Sequence, residues 1–446
     1  MALTVTIITL IVLILWGLPI VFAFGGALIV AVLTMDLNIG SLLPSGYSRL
    51  NTVVLLAIPL FILAGGIMQR GQLGSRLVNF INLFVGRITG GLGAVGVIAC
   101  AAFGAISGSA AATLSCVGSI MFPRLEENNY RRGHAVALII CASPLGLLIP
   151  PSATQILYAW SANQSVLLCF LSTVGPGILL TFLLCVVNWI MCRVQATRDA
   201  LEKNDQLDDQ IVESDSVAEL RRHKWQTTKA AIPALLMPFI ILGGIYTGWT
   251  TPTEAAAISV IYAIPVSIFI YKSLTLKDFY DSLKESGVTC GVLMVMLLIV
   301  MIVSRIFVME GLPQSMMKLF KAVSEDRLMI LLMANIFMVL IGMLMDDVSG
   351  TLLCTPLLLP LMAASGVSPY HFAAILGVNL GLGNITPPTA PLLYLGGRLG
   401  NASISQTIRP TLWLILGAWI PTLIVTTYWA PLALALPSWY VGRPLY

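Results

Sequence analysis

Charge is what this chain has least of. Of its 446 residues only 10% are Asp, Glu, Lys or Arg, where soluble domains carry about 25%. So few charges cannot cover a water-exposed surface, which excludes a cytosolic enzyme, a secreted disulfide scaffold and a disordered chain. Neither sign dominates, with 24 basic against 20 acidic residues, so nothing suggests nucleic acid as a partner. Histidine occurs three times, and the eight cysteines have no metal-ligand or redox spacing; they read as small buried hydrophobes. No Walker motif is present, which argues against ATP hydrolysis. No Lys or Arg precedes the first apolar run, which is also too long for the core of a cleavable signal. What is abundant is apolar: 58% of residues, with mean hydropathy +0.93. The composition describes an all-α polytopic membrane protein, because lipid solvates such a surface and helices satisfy their own backbone within it.

Apolar runs long enough for a hydrocarbon core of about 30 Å lie near 4–34, 53–69, 133–162, 165–192, 230–248, 255–271, 288–308, 370–397 and 411–436. Gly17 and Pro19 interrupt the first, so it is one long span or two short ones. Two further blocks, near 90–123 and 328–361, are rich in Gly, Ser, Ala and Thr and end at Pro123 and Pro360. Neither offers two full crossings. The first block lies between Arg70, Arg76 and Arg87 on one flank and Arg124, Arg131 and Arg132 on the other. Lys and Arg favour the cytoplasmic side, so this block enters and leaves on one side, as a re-entrant hairpin. Such a hairpin persists only when buried in protein or lining a wet cavity. The polar stretch 193–229, with Asp199, Glu202, Asp205, Asp208, Asp209 and Glu213 among its charges, reads as a cytoplasmic linker between two halves.

The halves repeat. His134 and His371, Pro123 and Pro360, Gly146 and Gly383, Pro150 and Pro387, Pro151 and Pro388, and Ser152 and Thr389 all differ by 237. An odd number of crossings separates equivalent elements, so the second half is inverted. Inverted repeats with paired broken elements indicate a secondary transporter whose site lies where the repeats meet.

Several segments carry candidate chemistry. The run Gly104 to Thr113 offers hydroxyls and, at a hairpin tip, carbonyls that can replace the hydration shell of Na⁺; close packing by small residues is the alternative. Pro150 and Pro151 remove two successive backbone donors. The helix must break there, and half-helix ends suit a cation at the carbonyl end and a carboxylate at the amide end. Pro387 and Pro388 repeat the break. Asp346 and Asp347, in the second hairpin, are functional candidates because intramembrane acids are costly. Adjacent helical residues point about 100° apart, which excludes a protease dyad; one lines the transport cavity and the other faces solvent. Arg305 either holds a substrate carboxylate through its fork or snorkels to the interface beside Glu310. Glu254 reads as part of a capping box with Thr251, Pro252 being the first helical residue. His134 and His371 read as residues of helix starts.

The run Ile58 to Gly66 resembles a signature of the large membrane subunit of TRAP (tripartite ATP-independent periplasmic) transporters. Gly104 to Thr113, Leu148 to Ser152, Thr250 to Ala257, Met345-Asp346, Ser368 to Phe372, and Asn379 through Pro388 resemble it too, over residues 10 to 430. The resemblance implies an elevator mechanism, in which a transport domain holding both hairpins moves against a scaffold, and sodium-driven uptake of a carboxylate such as a dicarboxylate, a sialic acid or a sugar acid. It implies sodium sites between each hairpin tip and the adjacent broken helix. Carried onto this chain, one comprises Ser107, Gly108, Ser109, Thr113, Gly146 and Pro150, and the other Ser349, Thr351, Asn379, Gly383, Thr386 and Pro387. Arg305, Asp346, Asp347, Ser152 and Thr389 remain substrate candidates. Ala110 stands where the family often has serine, and the linker is long and acidic.

The organisation expected is an N-terminal scaffold over 1–52, a first repeat over 53–192, the linker over 193–229, scaffold spans over 230–287, an inverted repeat over 288–436 and a tail over 437–446. Na⁺ is the one cofactor implied. The implied partners are a separate small four-helix membrane subunit, a periplasmic substrate-binding protein and the lipid bilayer, in a bacterial inner membrane. A binding-protein-independent carboxylate carrier or exchanger is the alternative; an enzyme is not expected.

Overall fold

A computed structural model of the protein describes residues 2–35, 37, 39–85, 90–202 and 217–445; among them helices occur and no strand. Eight helical stretches are long and apolar enough to cross a membrane, and the bent pair Arg132–Leu148 and Ala153–Ser161 would make a ninth.

The repeat is visible in the element order. Helices beginning at Leu73, Gly91, Ala110, Arg132, Ala153 and Val166 recur at Leu312, Arg327, Asp347, Pro369, Pro391 and Ile404, with offsets of 236 to 239. Ile39–Leu50 likewise corresponds to the start of Leu276–Met309, and Ile20–Met35, with a shorter offset of 232, to Pro252–Pro265. The pairing thus reaches into the stretches assigned by sequence to scaffold alone.

Two pairs of contacts show the inversion. Tyr158 donates to the Pro369 carbonyl at 2.5 Å, and Gln155, a turn earlier, donates to the Ala373 carbonyl, a turn later, at 3.3 Å. On the other side Gly396 lies on Ile140 and Gly400 on Val136. Residue numbers rise along one helix as they fall along its neighbour, so the two broken helices run antiparallel. Their second halves are exchanged: Ala153–Ser161 packs on the second hairpin's arm Asp347–Ala364, and Pro391–Leu399 on the first hairpin's arm Ala110–Glu127.

Several boundaries differ from the sequence reading. The first apolar run is two helices, Ala2–Leu15 and Ile20–Met35, folded on each other. Gly17 takes φ +83° at the corner, a conformation that glycine adopts without steric penalty. Pro123 and Pro360 do not end their blocks; each is exposed, and its helix runs on for four residues, to Glu127 and Ala364. Proline removes one N–H and crowds the preceding turn, which bends a helix near its end without stopping it. Each arm of the second hairpin, at 18 residues, is long enough to cross by length alone; its tip nevertheless ends against a helix break rather than at a surface. The run 411–436 is divided at Trp429, and residues 437–441 of the expected tail belong to helix Pro431–Val441, which packs on Val166–Glu202. That helix and Val217–Tyr246 extend into the expected linker from both sides, while 203–216, like Arg87, lies outside the described residues.

The signature glycines have separate tasks. On helix Ala57–Arg70, Gly65 faces Ser107 of the first hairpin tip, a methyl on it standing 3.4 Å from the Ser107 Cβ. Gly66 faces Ser286 and Ser282 of helix Leu276–Met309. Arg70, at the end of the same helix, pairs with Glu285 at 2.8 Å and Asp281 at 3.7 Å. One face of this helix thus lies on the hairpin and another on helix Leu276–Met309.

Backbone meets backbone where hairpins lie on broken helices. A methyl at Gly104 would stand 2.5 Å from the Gly146 Cα, and one at Gly383 would stand 2.4 Å from the Gly342 carbonyl carbon. Neither neighbour can yield without moving a helix. Gly383→Ala and Gly104→Ala should each destabilise the protein by about 1–3 kcal/mol, the range for overpacking, read as a lower thermal midpoint in detergent. Gly287→Ala, with open space around it, should leave the midpoint unchanged or raise it.

Candidate functional site

The first hairpin turns at Gly108, whose φ is +61°. Glycine is needed there twice over: a methyl would also stand 3.0 Å from the Pro151 carbonyl oxygen and 3.4 Å from the Ser152 Cα. The turn is pinned to the break by the Ala153 N–H, which donates to the Gly108 carbonyl at 3.4 Å. Ser109 caps the second arm, its hydroxyl accepting from the Ala112 N–H. Thr113 donates through Oγ1 to the Ser109 carbonyl at 2.8 Å and lies 3.1 Å from Ser107 Oγ. A methyl on Gly146 would be 3.1 Å from Thr113 Oγ1 and 3.3 Å from the Ser109 oxygen. The structure therefore brings Ser107, Gly108, Ser109, Thr113 and Gly146 together, with the Pro150-Pro151 break beside them.

The second tip is built alike with different side chains. Asp346 occupies the capping position 237 residues after Ser109, and its Oδ2 accepts from the Val348 N–H at 3.2 Å. Met345 replaces the glycine turn in extended backbone, φ −128°. Gly342 rests on Gly383, and the break runs from Thr386 to Ala390. Each Pro-Pro bond is cis. At both tips two helices end and two begin, which brings carbonyl ends and amide ends close together. That arrangement suits a cation beside an anion.

Thr154 joins the repeats. Its Oγ1 donates to Asp347 Oδ2 at 2.9 Å, from the first broken helix to the second hairpin. Asp346 and Asp347 are both half-buried, so neither is the solvent-facing residue the sequence reading assigned. The pair is tied instead to the helix cap and to Thr154.

Six buried side-chain oxygens on these segments have no hydrogen-bond partner: Ser152 Oγ, Gln155 Oε1, Asp346 Oδ1, Asn379 Oδ1, Asn384 Oδ1 and Thr389 Oγ1. An unpaired buried polar group costs about 1–3 kcal/mol unless water or a ligand satisfies it; Thr52, Thr250, Ser267, Ser304 and Thr426 carry such oxygens elsewhere. Ser152 and Thr389 are repeat equivalents, and both are orphans. All six are hard oxygen donors, the type that suits hard cations. Among the described residues no group of three or more His, Cys, Asp and Glu could hold a metal ion.

The remaining sequence candidates are placed as follows. Ser349 donates to the Met296 sulfur at 3.1 Å, Thr351 to the Asp347 carbonyl and Thr386 to the Leu382 carbonyl. Asn379 donates to Asn335 Oδ1 at 2.9 Å in a buried chain that continues to Thr427. Pro387 stands in the break, half-buried. Arg305 is exposed on helix Leu276–Met309, and no hydrogen bond or ion pair joins it to either tip or to Glu310 among the described residues. Glu254 forms the capping box, its Oε2 accepting from the Thr251 N–H at 2.7 Å. His134 and His371 are the third residues of their helices, and His371 Nε2 lies 2.7 Å from the Thr426 carbonyl oxygen. Sequence reasoning missed Thr154, Gln155 and Asn384. The available signal was a polar side chain within a few residues of each Pro-Pro break.

Residues 7–432 match the family model "Tripartite ATP-independent periplasmic transporter, DctM component". The chain belongs to the DctM family. It is 33% identical to the C4-dicarboxylate TRAP transporter large permease protein DctM of Pseudomonas aeruginosa, covering 93% of each chain. It is 30% identical to the sialic acid TRAP transporter large permease protein SiaM of Vibrio cholerae, covering 96% of each. The isethionate TRAP transporter permease protein DctMQ of Oleidesulfovibrio alaskensis is 31% identical, and there 96% of this chain covers 64% of the relative. Among solved structures, the Alcanivorax borkumensis YdaH transporter shares the fold, with TM-score 0.59 at 15% identity over 87% of this chain and 88% of that one. As a DctM-family member the chain is a multi-pass transport protein and not an enzyme.

The inter-repeat hydrogen bond is testable by a double-mutant cycle. Thr154→Val and Asp347→Ala should each destabilise, and the double variant should fall short of their sum by about 1 kcal/mol. Strict additivity of the thermal or denaturant midpoints would show that the two side chains do not meet.

Proposed function

We propose that the chain is the permease of a sodium-coupled system taking up a small organic carboxylate across a bacterial inner membrane. The observation that carries this reading is the cluster of orphan oxygens at two inverted helix breaks. Sodium would supply a positive charge that offsets the substrate's and a gradient that drives accumulation. The residues that fit it are those around the tips: Ser107, Ser109, Thr113 and Gly146 with the carbonyls freed by Pro150 at one, and Asp346, Asn379, Asn384, Gly383 and Thr386 with those freed by Pro387 at the other. Ser152 and Thr389, each beginning the chain's path into a second half-helix, stand where amide ends and a hydroxyl can receive a carboxylate. Asp347, held by Thr154, links the two tips so that they respond together.

The hairpins and broken helices would move as one body against the scaffold. The small-residue seam of Gly65 against Ser107 supports that reading, because it offers a sliding contact without interlocking side chains. A small membrane subunit would enlarge the scaffold, and a periplasmic binding protein would deliver the substrate. Relatives named for C4-dicarboxylates and sialic acid support the carboxylate class.

Reconstituted proteoliposomes test this. With the small subunit and binding protein present, labelled carboxylate should accumulate only under an inward sodium gradient; accumulation that ignores the gradient would overturn the coupling, and uptake persisting without the binding protein would indicate a self-sufficient carrier. Ser152→Ala and Thr389→Val remove no protein hydrogen bond, so their thermal midpoints should stay near wild type while half-saturating sodium or substrate rises at least fivefold. Replacing Pro150 and Pro151 together by Ala should let the helix continue and abolish sodium dependence.

A further inference from the structure

A cavity of about 1040 Å³ lies away from the tips, at the outer end of the first broken helix. That is at the upper end of ligand-pocket volumes, which run to about 1,000 Å³, and far more than an ion needs. Its rim carries three guanidiniums, from Arg131 and Arg132 at the start of that helix and from Arg409 on helix Ile404–Leu414. Glu126 pairs with Arg132 at 2.6 Å. Arg409 is exposed and has no ion pair or hydrogen bond among the described residues. The walls are apolar: Ile190 and Val194 of helix Val166–Glu202 face Trp413 and Leu416, and these four side chains are 48% to 66% exposed. Long apolar walls open to the surroundings beneath a basic rim are what an amphiphile with an anionic head requires.

The other repeat provides a control within the molecule. Its cavity at the equivalent place, beside His371, Tyr428 and Pro431, measures about 400 Å³. The position equivalent to Arg131 is Ser368, and Met191 and Val194 correspond to Tyr428 and Pro431. Its one guanidinium is Arg327, so the fold requires neither three arginines at the rim nor the larger volume. The two differ by side of the membrane. The basic flanks around the first hairpin place the larger cavity at the cytoplasmic surface, the leaflet whose anionic lipids attract basic residues, and where basic pockets between helices take lipid head groups.

We infer that this cavity binds an anionic glycerophospholipid. Arg409 holds its phosphodiester through the bidentate fork guanidinium offers phosphate, while Arg131 and Arg132 add positive charge at the rim, the Arg132 fork being closed on Glu126 and its remaining Nη on the Asn401 carbonyl. One acyl chain lies between the wall of Ile190 and Val194 and that of Trp413 and Leu416. Such a lipid would tie the first broken helix to one long helix from each repeat. The inference rests on the chain's position in the membrane and stands or falls separately from sodium coupling.

Native mass spectrometry of the purified full-length permease tests it, with dioleoyl phosphatidylglycerol and dioleoyl phosphatidylcholine as probes. Wild type should retain one phosphatidylglycerol per chain at least tenfold more tightly than phosphatidylcholine. Arg131→Gln with Arg409→Gln should remove that preference, Arg409→Gln alone should reduce it, and Arg398→Gln, outside the cavity, should leave it intact. The single Arg409 variant loses no protein partner, so it remains informative if the double variant does not fold. Equal retention of the two lipids by wild type, an undiminished preference in the Arg409 variant, or displacement of phosphatidylglycerol by millimolar inorganic phosphate would each overturn the assignment.

Discussion

Backbone lies directly on backbone at Gly104 and Gly146, and again at Gly342 and Gly383, and the centre of this molecule depends on those two approaches. A helix broken inside a membrane leaves polar groups that lipid cannot satisfy. They are tolerable only if protein closes over them at a distance that no side chain permits. The hairpins do this. Each brings a capped helix start, at Ser109 or Asp346, to a break made by two prolines, and the glycines set how near it comes. Tightness and polarity are thus one requirement, because moving the hairpin away would expose the freed groups while closing it without glycine is sterically barred.

The breaks also explain why so little charge suffices. Helix ends supply partial charges of both signs without an ionised side chain, and the side chains added around them are mainly hydroxyls and amides. Asp346 and Asp347 are the exceptions, and both are bound into the architecture, one as a cap and one as the acceptor of a bond from the opposite repeat. The Gly65 and Gly66 pair shows the same economy on helix Ala57–Arg70, where two adjacent positions without side chains serve two different neighbours.

Much of this was legible in the sequence, for identifiable reasons. The offset of 237 relied on glycine and proline, which act on the backbone itself, so the hairpins, the breaks and their inversion could be read without knowing any contact. The Thr251–Glu254 box was readable because it is local. What escaped was whatever depends on one helix meeting another. Thr154, Gln155 and Asn384 look unremarkable in their own segments and acquire meaning only across the antiparallel pair. Pro123 and Pro360 misled because a proline near a helix end removes one N–H and crowds one turn without having to stop the helix, and each helix runs on for four residues. Arg305 shows the converse: an isolated charge in an apolar run drew attention by rarity, whereas the structure leaves it outside the cluster of orphan oxygens.

The exchange of second half-helices has a consequence for how such a molecule arises. Ala153–Ser161 covers the hairpin of the other repeat, and Pro391–Leu399 returns the favour. Each half lays its hairpin tip on its own break, yet leaves the half-helix beyond that break to pack on the other repeat. A half-length ancestor would have had no complete site until it met a second copy of itself lying the opposite way in the bilayer. Its function would have begun as a property of a dimer, and joining the copies into one chain fixed an encounter that had previously depended on concentration and on two opposite insertions.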